Sequence, residues 1–477
     1  MKFSRRSLLT QSLSAGALAA GSAQTGSAAG RPNVLYVILE DIGPNLACYG
    51  EIEVRTPNLD RFASQGIRFN HAYTTAPVCS ASRSALMSGC YQTQLGAHQH
   101  RTWDWHKKPL PAPKRHVSDW FREAGYFTCN LQNTGPTRTK GLQGAAGSGK
   151  VDLNFFRRAA EKDKFFDGTD WNQRKSGQPF FAHITIMETH KGQGWTIARQ
   201  KPKSELVDPE KLKLAAYYPD SPIAKDEYAN YLDAIHLSDG YVGQLLERLE
   251  RDGLASNTVV VISSDHGPLF RGKQFLYDGG IHIPLLVRFP DGKGAGTVSD
   301  DFVSAIDFLP TLAGFAGIRP PAGAVQGQDI FGTAYKPRPH LFAARDRMDI
   351  SIDKMRAVRT KQYKYIRNYY PAIPYQQHNP YKEGAYPTWN LVKEWYKQGK
   401  LNKAQALFAS PVKPIEELFN LRADPDEVHN LAKDPAHKKT LQELRALVDG
   451  FVAENDRLVV NEDPVDIFRG YYGEDAV

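Results

Sequence analysis

The chain has 477 residues, a formal net charge of +8 and a pI near 9.0. This length suits one large domain with a smaller companion, and after the N-terminus no apolar run is long enough to span a bilayer. A nucleic-acid binder usually concentrates its lysine and arginine in one stripe, whereas here they are spread along the chain. The charge alone therefore decides little, and an acidic small molecule or a polyanionic sugar fits as well as DNA does. From the whole sequence we predict no nucleic-acid partner. The four cysteines form no CxxC pair, which excludes a thioredoxin or zinc-ribbon motif.

The first thirty residues have the pattern of an export signal. Arg5 and Arg6 precede a short apolar stretch rich in alanine, glycine and leucine, which ends in small residues suited to cleavage. We therefore predict a twin-arginine-type signal peptide over residues 1–30, with the Tat export machinery as a partner. The mature protein is predicted to be periplasmic or secreted, without stable membrane insertion.

Between residues 31 and 350, strand and helix signals alternate. Thr56 and Pro57 begin a short helix that Gly66 ends, and residues 117–131 read as a helix followed by a strand. A long amphipathic helix is predicted over 224–252, with Gly253 ending it. Continuous apolar runs predict buried parallel strands at 34–39, 180–187 and 259–262. The alternation predicts a doubly wound α/β domain.

From about Arg356 the pattern changes. The segment RAVRTKQYKYIRNYYP (356–371) alternates like one exposed antiparallel strand, and EELFNLRADPDEVHNLA (416–432) resembles a strand and a turn. The segment HKKTLQELRALVDGFVAEND (437–456) is an amphipathic helix. We predict a smaller C-terminal α+β subdomain over residues 351–477, after the α/β domain over 31–350.

Polar residues follow three of the apolar strands. The strands end in Glu40 and Asp41, in His190, and in Asp265 and His266. Ligands of doubly wound sheets gather at the carboxyl ends of the strands. The carboxylates offer hard oxygen ligands, which favour Ca²⁺ or Mg²⁺ over a soft metal, and His266 adds a nitrogen. The sequence therefore predicts a site for a hard cation at this edge of the sheet.

A set of motifs resembles the sulfatase family. CSASRSALMSG, which begins at Cys79, resembles the signature Cys-x-Pro/Ala-x-Arg followed by Leu-x-Thr-Gly, with Ala81 at the Pro/Ala position and Ser88 in place of threonine. Further blocks follow in the family's order: RPNVLYVILED, TPNLDRFASQGIRFNHAY, SSDHG, RGKQFLYDGGIHIPLLVRFP and ELFNLRADPDEVHNLA. The segments YQTQLGAHQHR and RAVRTKQYKYIRNYYP are most similar to the branch of polysaccharide sulfatases and heparan N-sulfatase-like proteins. The resemblance implies a type I, formylglycine-dependent enzyme with an alkaline-phosphatase-like fold: a large, mostly parallel mixed sheet between helices.

The resemblance also implies a chemistry for Cys79. A formylglycine-generating enzyme would oxidise it to formylglycine (3-oxoalanine), whose hydrate is the nucleophile of a covalent mechanism. The bound cation would be Ca²⁺, with Mg²⁺ as the alternative, and would offset the charge on the sulfate. Mapped onto the matching motifs, the metal ligands are Glu40, Asp41, Asp265, His266 and the modified Cys79. Arg83 would orient the modified side chain, Lys273 would hold a sulfate oxygen, and His190 would protonate the departing atom.

This sequence departs from the family pattern at three places. Glu40 stands where most members have aspartate, and His266 replaces the more common asparagine. The family's Lys-x-His block reads here GYFTCNLQNTGPTRTKG, with Asn133 and Gly135 at the lysine and histidine positions. Either the block lacks its cation, or an insertion has displaced it so that SGKVDLNF supplies Lys150. We favour Lys150 as a catalytic residue.

A basic and aromatic cluster follows the signature motif. His98, His100 and Arg101 precede Trp103 and Trp105. Aromatic rings stack on pyranose rings and arginine binds a carboxylate or sulfate through two donors, so we predict that His98, His100 and Arg101 bind substrate. A surface loop with ordinary buried tryptophans is the alternative. Arg347, in the segment ARDRMD, is a further substrate-binding candidate of the same kind.

The function predicted from the sequence is a secreted sulfatase. It would hydrolyse sulfate esters or sulfamates of a sulfated oligo- or polysaccharide and release inorganic sulfate. A phosphonate or phosphate ester hydrolase on the same fold is one alternative. The other is a sulfatase-like sugar-binding protein in which Cys79 stays a thiol.

Overall fold

The computed structural model describes residues 30–104, 106–132, 148–157, 164–268 and 270–472. Residues 1–29 of the predicted signal peptide lie outside these ranges, as do Trp105, Asn133 and Gly135. Among the described residues, no helix combines the length and the apolar character needed to cross a membrane.

The described elements alternate between strands and helices through the first two thirds of the chain. The strands are β1 (Asn33–Leu39), β2 (Ile67–Tyr73), β3 (Lys108–Pro109), β4 (Phe127–Asn130), β5 (Phe155–Phe156), β6 (Phe180–Ile186), β7 (Thr258–Ser264), β8 (His282–Arg288), β9 (Thr297–Ser304), β10 (His340–Arg345), β11 (Met355–Thr360), β12 (Tyr363–Asn368) and β13 (Glu416–Asn420). The helices are α1 (Pro57–Ser64), α2 (Cys79–Ser88), α3 (Val117–Glu123), α4 (Gln193–Ala198), α5 (Pro222–Arg251), α6 (Asp278–Ile281), α7 (Phe308–Phe315), α8 (Pro380–Ala385), α9 (Pro387–Lys397), α10 (Lys403–Ala409), α11 (Lys438–Asn455) and α12 (Pro464–Tyr472).

A seven-stranded sheet forms the centre of the molecule, in the order β4-β6-β1-β7-β8-β2-β9. The pairs β4/β6, β6/β1, β1/β7 and β2/β9 are parallel. Strand β8 runs antiparallel to both of its neighbours, β7 and β2. The predicted buried strands are therefore confirmed as β1, β6 and β7, which lie side by side in a mostly parallel mixed sheet.

Helices cover both faces of this sheet. Because the side chains of a strand alternate between its two faces, each central strand contributes to two cores. Leu35, Val37 and Leu39 of β1 enter one core, which α1 and α5 cover. Val34, Tyr36 and Ile38 enter the opposite core, against α2, α3 and α7. Both sets are fully buried, which is why β1 reads as a continuous apolar run rather than an alternating one.

The ends of the predicted helices are mostly confirmed. Gly253, with φ +70°, follows the end of α5. Thr56 occupies the N-cap position of α1, but its hydroxyl donates to Asp60 Oδ1 at 3.0 Å instead of capping the helix. The cap at the other end of α1 is Gln65, and the prediction that Gly66 ends the helix is off by one residue. Gly66 is needed for another reason: a Cβ there would collide with the backbone carbonyl oxygen of Val287 on β8.

The second sheet has four antiparallel strands in the order β10-β11-β12-β13. The prediction of one exposed strand over 356–371 is wrong, because this segment forms the hairpin of β11 and β12, whose residues are mostly buried. Val358 and Tyr365 pack beneath α11 on one face. On the other face, Met355 and Ile366 join an aromatic core with α9 and α10. Both faces of the hairpin are therefore covered.

The predicted C-terminal antiparallel sheet and its helix are confirmed as β10–β13 and α11. The division at residue 350 stays a prediction. Strand pairing nevertheless assigns β10 (His340–Arg345), which precedes that boundary, to the second sheet.

Candidate active site

The carboxyl ends of β1 and β7 bring four side chains together. Leu39 is in register with Ser264, so the residues that follow each strand lie next to each other. The main-chain N–H of Asp41 donates to Asp265 Oδ1 at 3.1 Å. Potential ligand atoms of Asp41, Cys79, Asp265 and His266 all lie within 4.8 Å of one another, and all four residues are buried.

Helix α2 begins at Cys79 and points its first turn into this group. The Cys79 Sγ atom lies 3.2 Å from His266 Nε2, 3.5 Å from Lys273 Nζ and 3.9 Å from Asp41 Oδ1. The small residues that follow, Ser80 and Ala81, are completely buried. The predicted nucleophile position is thus held inside the protein by a helix terminus rather than by a loose loop.

Arg83 lies one helical turn after Cys79, on the same face of α2. Its fully buried guanidinium donates from Nε to Asp265 Oδ2 at 3.2 Å and from Nη1 to Thr185 Oγ1 at 3.1 Å. Its Nη2 donates to the carboxylate of Glu40. Arg83 therefore ties together the ends of β1, β6 and β7.

Glu40 lies beside the four-residue group, not in it. Its carboxylate accepts hydrogen bonds from Arg83 and from Lys150 Nζ. Lys150 also lies 3.4 Å from Asp152 Oδ2. The structure thus brings Lys150 to the site, as the displaced-block interpretation expects. The role of Glu40 as a metal ligand stays a prediction.

The buried Lys273 and the partly exposed His190 lie next to each other beside Asp41. Lys273 Nζ donates to Asp41 Oδ2 at 2.7 Å and lies 3.3 Å from His190 Nε2. The His190 side chain is 19% exposed, whereas those of Asp265 and His266 are completely buried. A substrate would therefore meet His190 before it reached the carboxylates.

Neighbouring cations keep two of the site carboxyl groups ionised. Burial acts to raise the pKa of Glu40, but Arg83 and Lys150 outweigh it and hold that pKa well below its ordinary value. Burial acts in the same direction on Asp41, where Lys273, His266 and His190 together outweigh it and hold the pKa far below its usual range.

The pKa values of Asp265 and His266 are raised, in contrast to those of Glu40 and Asp41. Burial, followed by the negative charge of Glu40, raises the pKa of Asp265. Burial acts to lower the pKa of His266, but Asp265 and Asp41 outweigh it and raise the pKa to about 9. The carboxylates of Glu40, Asp41 and Asp265 therefore lie close enough at this end of the sheet for their negative charges to repel one another.

The two groups with predicted chemical roles are also perturbed. Burial acts to raise the pKa of the Cys79 thiol, but Lys150 and Lys273 outweigh it and lower the pKa to about 7. Burial, aided by Lys273, lowers the pKa of His190 to about 4. Perturbed groups in one cleft are typical of a functional site.

Unusual backbone conformations are concentrated around this site. Asp41 itself has a φ of +50°, a value that costs energy for a side chain other than glycine. Four further non-glycine residues with positive φ belong to segments that line it: Arg101, Asp152, Gln274 and Asp349. The surrounding contacts must hold these residues in place, since isolated chains avoid this region.

The donor set fits a hard divalent cation. Asp41 and Asp265 contribute carboxylate oxygens and His266 an imidazole nitrogen, and the side chain of residue 79 completes the group. A dication would also offset the crowding of like charge that raises the pKa of Asp265.

Two of the four predicted substrate-binding residues lie near Cys79. His100 Nδ1 lies 3.1 Å from Asp349 Oδ1. Burial acts to lower the pKa of His100, but Asp349 and Cys79 outweigh it and raise that pKa. The main-chain N–H of Arg101 donates to the hydroxyl of Ser80, the residue after Cys79, at 2.7 Å.

The other two, His98 and Arg347, contact a C-terminal segment that we call the strap, residues 457–472. His98 Nε2 lies 3.3 Å from the carbonyl oxygen of Val460. The guanidinium of Arg347 forms a buried ion pair with Glu462. The structure does not bring these two side chains into the group around Cys79.

Thr185 and Tyr381 were missed by the sequence reasoning. Thr185 accepts a hydrogen bond from Arg83, and its signal is a polar residue within the apolar strand β6. The ring of Tyr381, from α8, lies 5.3 Å from Lys273 Nζ and 6.0 Å from the His190 ring. Nothing in the sequence around Tyr381 predicts that the C-terminal part of the chain reaches the site.

Comparison with known proteins relates this chain to a family. The sulfatase family model matches residues 32–318, and the model "N-sulphoglucosamine sulphohydrolase, C-terminal" matches residues 265–383. An ulvan-active sulfatase of Formosa agariphila is 33% identical over 462 residues, covering 88% of this chain and 74% of that protein. Human N-sulphoglucosamine sulphohydrolase is 26% identical over 464 residues, covering 87% and 88% of the two chains.

A solved structure shows the same fold at lower sequence similarity. The phosphonate monoester hydrolase of Agrobacterium radiobacter has a TM-score of 0.63 and 17% identity, over 89% of this chain and 96% of that one. The family match covers more than half of the chain and includes both strand ends and the Cys79 helix. This protein is therefore a member of the sulfatase family, the sulfuric ester hydrolases.

Proposed function

We propose that this enzyme hydrolyses sulfate esters or sulfamates of a sulfated carbohydrate, using a formylglycine formed from Cys79 and a bound Ca²⁺ or Mg²⁺. The observation that carries the proposal is the placement of Cys79. It opens α2 within a buried group that contains Asp41, Asp265 and His266, with Lys273 directly beside it. The two relatives, an ulvan-active sulfatase and an N-sulphoglucosamine sulphohydrolase, support a carbohydrate substrate.

The two added groups would supply the nucleophile and the charge compensation. A formylglycine hydrate supplies an attacking hydroxyl and the dication stabilises charge on sulfate oxygens. Asp41, Asp265 and His266 would hold the dication, and Arg83 fixes Asp265 through its Nε hydrogen bond. Lys273 presents its ammonium group beside residue 79, where it would bind a sulfate oxygen.

His190 would act on the leaving group. Its imidazole is partly exposed and lies 3.3 Å from Lys273, where the carbohydrate oxygen or nitrogen would depart. After burial, the positive charge of Lys273 is the next largest cause that lowers the pKa of His190. The negative charge of a bound sulfate group would offset the charge of Lys273. Substrate binding would thereby favour the protonated imidazole that the leaving group requires.

Peptide mass spectrometry and sulfate release together test the proposal. Protein co-expressed with a formylglycine-generating enzyme should yield the tryptic peptide 69–83 with formylglycine in place of cysteine. Peptide 84–101, which contains the buried Cys90, is the internal control and should keep its thiol. An active enzyme whose Cys79 is entirely unmodified would overturn the mechanism.

The substrate is tested with a panel of defined sulfated oligosaccharides and one aryl phosphonate ester. The expected result is release of inorganic sulfate from at least one O- or N-sulfated oligosaccharide, faster than phosphonate hydrolysis. Faster phosphonate hydrolysis would favour the alternative esterase function. Glycan binding without sulfate release by fully modified protein would favour a sugar-binding role.

We also propose that residues 1–30 direct export through the Tat machinery to the periplasm or beyond. The paired Arg5 and Arg6 before a mildly apolar stretch support this. Fused to a reporter that folds before export, residues 1–30 should carry it out of the cytoplasm. Export that persists after replacement of both arginines by lysine would contradict the twin-arginine route.

A further inference from the structure

Arg101 combines a fixed backbone with a free side chain. Its N–H donates to Ser80 Oγ, and its φ of +51° lies in the left-handed region. The side chain is exposed, and within the described part of the chain its guanidinium forms no hydrogen bond and no ion pair. The backbone of Arg101 is thus fixed next to residue 80, while its guanidinium forms no ion pair with any described residue.

The acidic side chains near Arg101 are already paired with other groups. Asp152 lies 3.4 Å from Lys150 Nζ, and Asp349 lies 3.1 Å from His100 Nδ1. Partial burial acts to lower the pKa of Arg101, but Asp152 and the other negative groups of the site outweigh it and raise the pKa. The guanidinium therefore stays charged and lies within the electrostatic reach of the site.

The strap packs against the loop that carries Arg101. Glu462 anchors it through the buried ion pair with Arg347. Gly470 of α12 lies so close to Trp103 that a Cβ at this position would collide with the indole ring. Because Trp103 follows Arg101 by two residues, this contact places α12 alongside the loop that carries Arg101.

Tyr471 follows Gly470, the strap residue that contacts Trp103. Burial raises the pKa of its phenol, and the charges of Asp349 and Arg101 act on it in opposite directions. Its ring is half-buried and lies 5.0 Å from the ring of Tyr472. An aromatic ring on the segment packed against the Arg101 loop, together with a guanidinium that forms no ion pair with a described residue, suits an acidic sugar.

We propose that Arg101 and Tyr471 form a subsite for a second anionic group of the substrate, on the sugar next to the one whose sulfate is removed. This inference rests on the proposed function. The guanidinium would bind two oxygens of a carboxylate or of a second sulfate ester. The tyrosine ring would pack against the same sugar.

The test compares three oligosaccharides that carry the same hydrolysable sulfate. The neighbouring sugar bears a carboxylate, the alcohol obtained by reducing that carboxylate, or a second sulfate ester. The wild-type enzyme should have a kcat/KM about tenfold to a hundredfold higher for an acidic neighbour than for the reduced one. The acidic substrate that shows this preference identifies the anion.

Arg101→Gln should reduce that preference to about one, mainly through KM, and Arg101→Lys should retain part of it. The matched control is Arg469→Gln, which removes the same charge from the exposed part of α12. Arg469→Gln should keep the wild-type preference. Tyr471→Ala should raise KM for the acidic substrate several-fold, and Tyr471→Phe should not, because the ring remains.

Equilibrium binding tests the same subsite without turnover. In a Cys79→Ser background, titration calorimetry should show that Arg101→Gln weakens binding of the acidic oligosaccharide at least about tenfold more than binding of the reduced one. Equal losses for the two oligosaccharides, or no wild-type preference, would overturn the subsite. If binding discriminates as expected but modified wild-type protein releases no sulfate from any oligosaccharide, the proposed function fails and the subsite stands.

Discussion

The molecule contains two clusters of buried charge that are built differently. In one cluster, Lys364 Nζ of β12 pairs with the carboxylates of both Asp278 and Glu427, and Arg359 of β11 also pairs with Asp278. At the ends of β1 and β7, the carboxylates of Asp41 and Asp265 instead converge on each other and on Cys79, with Arg83 and Lys273 at the flanks.

The difference separates a structural role from a functional one. A buried carboxylate pair that only supports the fold is stabilised by a protein cation placed between its members. Carboxylates that face each other, beside a thiol and an imidazole with perturbed pKa values, can still bind a metal ion or a substrate, because the fold does not pair them with a cation placed between them. We expect changes in the first cluster to affect stability and changes in the second to affect catalysis.

The largest expected effect is on catalysis at position 79. Cys79→Ser should lower sulfatase activity by at least about 10⁴-fold. The proposed maturation oxidises a cysteine thiol, so a serine at this position would not become the aldehyde whose hydrate is the nucleophile. The thermal unfolding midpoint should stay near that of the wild type. Cys90→Ala, which changes a buried thiol next to the end of the same helix, is the matched control and should stay active. Substantial activity of Cys79→Ser would contradict the covalent mechanism.

Removal of the proposed cation comes next. After chelation, confirmed by metal analysis, activity should fall at least about a hundredfold, and added Ca²⁺ or Mg²⁺ should restore it. The ion should also stabilise the fold by about 2.7 kcal/mol at a concentration near 100 times its Kd. Asp41→Asn should lose this stabilisation, whereas Asp60→Asn, away from the site, should keep it. Full activity in metal-free protein would refute the cation's role.

Breaking the structural cluster should change stability instead. Lys364→Met leaves the buried Glu427 and the partly buried Asp278 without their shared cation, so the free energy of unfolding should fall by about 3–5 kcal/mol. Lys361→Met, in the exposed turn between β11 and β12, should change it by less than about 0.5 kcal/mol. Denaturant unfolding measures both variants. Equal stabilities would show that the cluster contributes little to the fold.

The smallest effect is the acid sensitivity of the structural cluster. Burial acts to raise the pKa of Asp278, but Arg359 and Lys364 outweigh it and hold the pKa far below its ordinary value. A depressed pKa in the folded state stabilises the protein above the unfolded pKa of about 3.9, and this contribution is lost as the pH falls below it.

Between about pH 5 and pH 3, the wild type should therefore lose about 1 kcal/mol more stability than Asp278→Asn. The exposed Asp291→Asn should follow the wild type in the same unfolding titration. An acid dependence that Asp278→Asn leaves unchanged would assign the effect to other carboxylates.

Local patterns predicted much of the fold and of the candidate site. The strands β1, β6 and β7 were predictable because burial on both faces leaves continuous apolar runs, and the polar residues that interrupt these runs mark the strand ends. The helical spacing of Cys79 and Arg83 likewise predicted a shared face of α2, which the structure confirms.

What the sequence could not predict depends on contacts between distant segments. The β11–β12 segment alternates like an exposed strand, yet α11 and the aromatic core cover both its faces. Glu40 follows β1 as Asp41 does, but Arg83 and Lys150 hold its carboxylate. His98 and Arg347 have the composition of a sugar site and instead anchor the strap. No local pattern carries these pairings.

The strap also has a consequence for the order in which the protein is made. It follows all other described elements in the chain, so the ribosome releases it after the residues of both sheets. A chain that stops at residue 456 would contain all the residues proposed to cleave sulfate but would leave Arg347 without Glu462. The residues proposed to cleave sulfate are therefore synthesised before the strap. Protection of Arg347 from proteases should accordingly appear last during translation.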